Sequence, residues 1–165
     1  MTVTHEETAQ GTVLHFVRFT EPELDLEDIC LEVHAGSAEV SRALAHRVHQ
    51  VTVVDPSSEA LADGKRLADR EALTNLVFQR GDATALPHLD RTFTLVLCRD
   101  ALGTVADPGA VVREMVRVSR PGGAVILADS RLGVAELSGL LSAAGADVRR
   151  TDTAHGHAYV EAFAP

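Results

Sequence analysis

The sequence is short of several things at once. In 165 residues it has no tryptophan, one tyrosine and two cysteines, and Lys65 is its only lysine. No apolar run nears the roughly 18 residues needed to cross a bilayer; the longest are stretches such as Ala124 to Ala128. The start carries Glu6 and Glu7 and no apolar segment, so no signal peptide is expected. Acids outnumber bases 24 to 15, for a net charge of −9. That balance lacks the basic patch a nucleic acid or an anionic membrane requires, and neither partner is expected. Two cysteines cannot make a disulfide scaffold. Cys30 opens one apolar run and Cys98 closes another. On neighbouring strands rising about 3.3 Å per residue, the two would lie beyond the ~7 Å limit for a bridge. Buried free thiols and a cytoplasmic location are the expectation.

What remains is 45% hydrophobic and 24% charged, the balance of one soluble globular domain. From Asp28 onward, strand-like runs alternate with helical patterns. Ile29 to Val33 is long enough only for a strand, and Val40, Leu44 and Val48 then mark one stripe of a helix opening near Ser37. Val51 to Val54 is a second strand. Pro56-Ser57-Ser58-Glu59 starts a helix that runs to about Arg70. Leu76 to Phe78, Phe93 to Leu97 and Ala124 to Ala128 are further strands. Asp107-Pro108 opens a helix with Val111, Val112, Met115 and Val116 on one face, and Arg120-Pro121-Gly122-Gly123 is expected to stop it as a turn. A helix over Val134 to Ala144 precedes two final strands, joined by a turn at Ala154-His155-Gly156-His157. This order predicts an α/β fold with a Rossmann-like, doubly wound, mostly parallel sheet and ligands at the strands' carboxyl ends. Residues 28–165 form that domain, and 1–27 read as an N-terminal arm in which Val13 to Phe19 is a short strand or flap.

The first turn of the sheet is Glu32-Val33-His34-Ala35-Gly36-Ser37-Ala38, and Asp55 follows Gly36 at the spacing of an acid that takes ribose hydroxyls. A dinucleotide fingerprint needs glycines at 34, 36 and 39. Only Gly36 is present, so NAD fits poorly.

Five segments fall in order and at matching intervals. They are Cys30 to Ala38, Val54-Asp55-Pro56-Ser57, Gly81 to Pro87, Phe93 to Cys98, and Val118 to Ala124. Together they resemble class I S-adenosylmethionine-dependent methyltransferases, nearest the ubiquinone/menaquinone-biosynthesis type. That resemblance implies an antiparallel last strand and the following roles. Glu32, Ala35, Gly36 and Ser37 cradle the methionine portion. Asp55 holds the ribose diol and Pro56 packs on the adenine. Asp82 and the Ala83 backbone meet the adenine edge, while Cys98 and Arg99 lie under the sulfonium. Read without the resemblance, Asp82 caps its own turn.

The chain departs from the family where glycine gives way to His34, a position facing the ligand crevice, and to Ala38. Nor does an arm of this length provide the family's N-terminal cover of helices. Three readings stay open: a methyltransferase acting on a small molecule, the same fold reused as a cyclase, isomerase or lyase with His34 as acid or base, and a non-catalytic partner protein. Topology adds Asp100, His155 and His157 as candidate catalytic residues on the rim that holds His34. A metal at the His155-x-His157 pair is set aside in favour of a solvated hairpin. An uncovered sheet edge points to a homodimer.

Overall fold

Runs rich in β-branched residues form the strands because a parallel sheet is buried on both faces and selects for them. The computed structural model describes residues 5–165, with side chains from residue 9 onward; the first four residues of the expected arm lie outside the described residues. The sheet has seven strands: β1 (Ile29–Val33), β2 (Gln50–Asp55), β3 (Leu76–Arg80), β4 (Phe93–Arg99), β5 (Ser119–Asp129), β6 (Asp147–Ala154) and β7 (His157–Phe163). Their order is β3-β2-β1-β4-β5-β7-β6. The first five are parallel, and β7 runs antiparallel between β5 and β6. Chain order reverses between β1 and β4, which puts the crevice of a doubly wound sheet beside the carboxyl ends of those two strands.

The helices are α1 (His5–Thr20), α2 (Glu39–Leu44), α3 (Ser58–Arg70), α4 (Pro108–Val118) and α5 (Val134–Ala143). Ser57 caps α3 by accepting from the Ala60 N–H at 3.2 Å, and Asp107 caps α4 through Ala110 at 2.9 Å. One face of the sheet packs Val111, Val112, Met115, Leu137 and Leu141 of α4 and α5. The other packs Phe16 and Phe19 of α1 with Val40 and Leu44 of α2. His155 and Gly156, at φ +51° and +74°, make the two-residue hairpin between β6 and β7.

Two expectations are corrected. Val13 to Phe19 is neither strand nor flap but the second half of α1, whose buried Thr12, Phe16 and Thr20 recur every four residues against the sheet. The same helix supplies an N-terminal cover that 27 residues were not expected to build. Arg120 to Gly123 does not leave the sheet either. It forms the irregular beginning of β5, with a register shift between Phe93 and Leu95 and Gly122 at φ +74°. Cys30 and Cys98 are free and buried; Cys30 pairs with Leu95, three residues before Cys98 on the same strand.

Candidate functional site

The turn leaving β1 is left-handed at three places: His34 at φ +50°, Gly36 at +57° and Ala38 at +61°. Glycine adopts that region freely; a side chain there costs roughly 1 kcal/mol. The turn encloses a cavity of about 200 Å³, lined by Glu32, His34 to Ser37, Glu39, Val40 and Arg99. Glu32 is buried at its floor, and one carboxylate oxygen accepts from both the Ser41 N–H (3.1 Å) and the Ser41 hydroxyl (2.6 Å). Burial pushes its carboxyl up to about 7, against the Ser41 hydrogen bonds and the Arg99 charge, which favour the ionised form. At the mouth, Arg99 donates to Glu39 at 3.0 Å and to the Thr12 hydroxyl of α1 at 3.1 Å.

Asp55 ends β2 nearly buried, accepting from the Gly36 N–H (2.9 Å) and the Ser57 N–H (2.8 Å). It therefore holds the turn's shape and keeps further lone pairs for a ligand. Pro56 beside it is exposed. Asp82 is exposed and accepts from both the N–H and the hydroxyl of Thr84, so the cap that its turn chemistry implies is formed. Those bonds hold its carboxyl below the usual range, with a smaller pull from His34. Ala83 is buried behind it. Cys98 is a correction. Its side chain packs in the core on the α4 face, because successive strand residues point to opposite faces, and only Arg99 reaches the cavity. Burial also pushes the Cys98 thiol far up, so it is inert.

The four candidate catalytic residues divide. His34 stands on the β1 side, beside Asp82. Asp100, His155 and His157 meet beyond β4. Asp100, itself at φ +54°, contacts His157 Nε2 at 2.7 Å and accepts from the Ser130 N–H at 3.0 Å. His157 Nδ1 faces the His155 carbonyl at 3.1 Å. Both ring nitrogens thus face oxygens of this chain, so the ring is held on two sides. The His155 ring packs edge-on against His15 of α1, with centroids 5.7 Å apart. Among the described residues no three His, Cys, Asp or Glu side chains are grouped to hold a metal.

Sequence reading missed Ser41, Glu39 and the whole contribution of α1. Thr12 meets Arg99, and His15 Nε2 lies 2.8 Å from Asp152. The four-residue recurrence of Thr12, Phe16 and Thr20 was the available signal for that helix.

A methyltransferase-domain family profile matches residues 31–127. The chain is 30% identical over 99 residues to the uncharacterised methyltransferase YcgJ of Bacillus subtilis (strain 168), covering 60% of this chain and 39% of that protein. It is 36% identical over 99 residues to a demethylmenaquinone methyltransferase of Halalkalibacterium halodurans, covering 58% and 40%. The chain thus spans about two-fifths of the length of these curated relatives. Among solved structures, the [4+2]-cyclase SpnF superposes with a TM-score of 0.86 at 18% identity, over 94% of this chain and 82% of that one. Bacillus YcgJ superposes at 0.76 and 21%, over 90% and 71%. At such identities the likeness is one of fold.

Proposed function

The chain belongs to the methyltransferase-domain family, of the class I S-adenosylmethionine-dependent kind, and from that premise we propose that it carries a methyl group from this cofactor to a small molecule. The buried carboxyl of Glu32 carries the reading. It is an acid kept at the floor of a glycine-turn cavity at a cost in desolvation, and a cation repays that cost. The donor set fits the cofactor, whose net charge is positive: Glu32, Glu39, Asp55 and Asp82 surround its expected path, and the one arginine lining the cavity, Arg99, is paired with Glu39. Glu32 and the turn from His34 to Ser37 would hold its amino-acid end, Asp55 its ribose, and Asp82 with Ala83 its base. Volume fits less well. About 200 Å³ is below the ~300 Å³ at which ligand pockets begin, and the His34 imidazole takes part of the space.

Bound there, the cofactor supplies an electrophilic methyl carbon on a sulfonium. The chain's task is then to hold the acceptor in line and keep water out, which asks little of acids and bases. Arg99, neutralised by Glu39, borders the cavity on the side of the acceptor. His157, locked between Asp100 and the His155 carbonyl, is a fixed ring at the next strand ends.

His34→Gly tests the reading. Relief of the left-handed strain should raise the unfolding midpoint by about 2–4 °C, the equivalent of roughly 1 kcal/mol. Removal of the imidazole should tighten S-adenosylhomocysteine binding by about tenfold, some 1.4 kcal/mol, in calorimetry. Failure of both S-adenosylmethionine and S-adenosylhomocysteine to bind either protein at millimolar concentration would end the proposal. A second reading, non-methylating chemistry with His34 as acid or base, draws on the placement of that imidazole inside the crevice. It gains if His34→Gly abolishes an activity while the ligand still binds.

The uncovered edge strand β3, with Val77 43% exposed, supports pairing of two copies. Light scattering that gives a monomer mass removes that idea. The free, buried thiols support a cytoplasmic setting.

A further inference from the structure

Sheet register places Tyr159 of β7, Ala128 of β5, Arg99 of β4 and His34 in one row across the carboxyl edge. Tyr159 pairs with Ala128 and Ala128 with Arg99, and His34 follows the Val33–Cys98 pair. Tyr159 and Ala128 share the face covered by α1. Adjacent strands lie about 4.8 Å apart, so roughly 10 Å separates the Tyr159 and Arg99 backbones, with only a methyl group between them.

Tyr159 is the chain's one tyrosine, and it is fully buried. Its ring is enclosed by His15 (4.7 Å between centroids), Phe19 (5.7 Å), Phe16 (6.2 Å) and His157 (6.2 Å). Its hydroxyl has no hydrogen-bond partner among the described residues. Burial raises the hydroxyl's pKa, the Arg99 charge opposes that rise, and the Asp100 and Asp152 charges add to it, so all three charged groups bear on this oxygen. A hydroxyl that has lost its water and found no partner is a net cost, and phenylalanine would fill the same ring space without it.

We propose that the Tyr159 hydroxyl is a recognition donor for the methyl acceptor, binding an acceptor oxygen over Ala128, between Tyr159 and Arg99, where α1 now buries the sheet. This rests on the transferase reading, in which the cofactor occupies the His34 end of the same row and the acceptor the far end. His157, held between Asp100 and the His155 carbonyl, forms a fixed wall beside it. Entry of the acceptor requires α1 to yield where Thr12 meets Arg99 and His15 meets Asp152, at 3.1 and 2.8 Å.

The test compares wild type with Tyr159→Phe. In the free proteins, the variant should unfold a few degrees higher, because an unpartnered hydroxyl has been removed. In the presence of S-adenosylhomocysteine, 4-nitrophenol serves as a flat, oxygen-bearing probe whose absorbance reports binding in both proteins. Wild type should bind it, and the variant about tenfold more weakly, the worth of one hydrogen bond. S-adenosylhomocysteine itself should bind both proteins equally. A lower unfolding midpoint in the variant means the hydroxyl is already satisfied, and the proposal falls. It falls too if 4-nitrophenol binds both proteins equally or binds neither. Loss of S-adenosylhomocysteine binding in wild type instead strikes the transferase reading, while the free-protein comparison still judges the hydroxyl.

Discussion

Stability should decline as pH rises from about 4.5 to 7, by up to about 3 kcal/mol, and Glu32→Gln should flatten the curve. Glu32 is raised from 4.5 to about 7 by burial at the floor of the loop cavity. A carboxyl with a raised native pKa binds its proton more tightly folded than unfolded. Its contribution is therefore complete below the unfolded value and is lost as pH climbs through the folded one. Each pKa unit is worth about 1.4 kcal/mol, and a glutamine can still accept from Ser41 while carrying no charge to desolvate. A cationic ligand reverses the preference by favouring the carboxylate. S-adenosylmethionine binding should thus tighten about tenfold between pH 6 and pH 8, releasing close to one proton per site at pH 6 and almost none at pH 8. Calorimetry in buffers of different ionisation enthalpy reads that proton directly. PH-independent binding without proton release would mean that Glu32 does not face the cation.

Arg150→Ala should cost about 3 kcal/mol, the low end for a broken buried pair, because Arg150 is partly solvated. Glu161 on β7 is 1% exposed, and the guanidinium of Arg150, 38% exposed, is its ion-pair partner. The same guanidinium donates to the Phe19 carbonyl and lies over the Phe19 ring at 4.3 Å, so it also moors the end of α1 to the sheet. Removing it strands a buried carboxylate beside Glu23, which burial first and the Glu161 carboxyl second already push up to about 6. Thermal unfolding should show a drop of roughly 6–12 °C. Adding Glu161→Gln should restore most of it by removing the stranded charge. If the double variant unfolds as low as the single one, the loss lies in packing on Phe19 rather than in charge.

The alternation of strands and helices was legible because buried parallel strands leave apolar runs and helices leave a four-residue stripe. Asp107 and Ser57 were readable as caps because capping is a local contact. Legible too was the crevice side of the sheet, which follows from strand order alone. The role of Arg120 to Gly123 was not: a Pro-Gly-Gly run stops α4 equally well as a turn or as a bulged strand start, and pairing with β4 decides between them. Nor could Cys98 and Arg99 be told apart by position, since the pleat, known only once β4 is placed, sends one into the core and the other to the cavity.

By itself the sequence determined the element order, the family, the acid at each strand end and the intrusion of His34 into the first turn. All of these are matters of which residue stands where along the chain. Tertiary structure alone decided that α1 lies over the carboxyl edge, that His157 is locked between Asp100 and the His155 carbonyl, and that the one tyrosine is buried with no hydrogen-bond partner among the described residues. Those contacts join residues 57 to 137 positions apart, or depend on a backbone bent back on itself at His155. Local propensity has no term for such contacts. They exist only because seven strands bring their ends together at one edge.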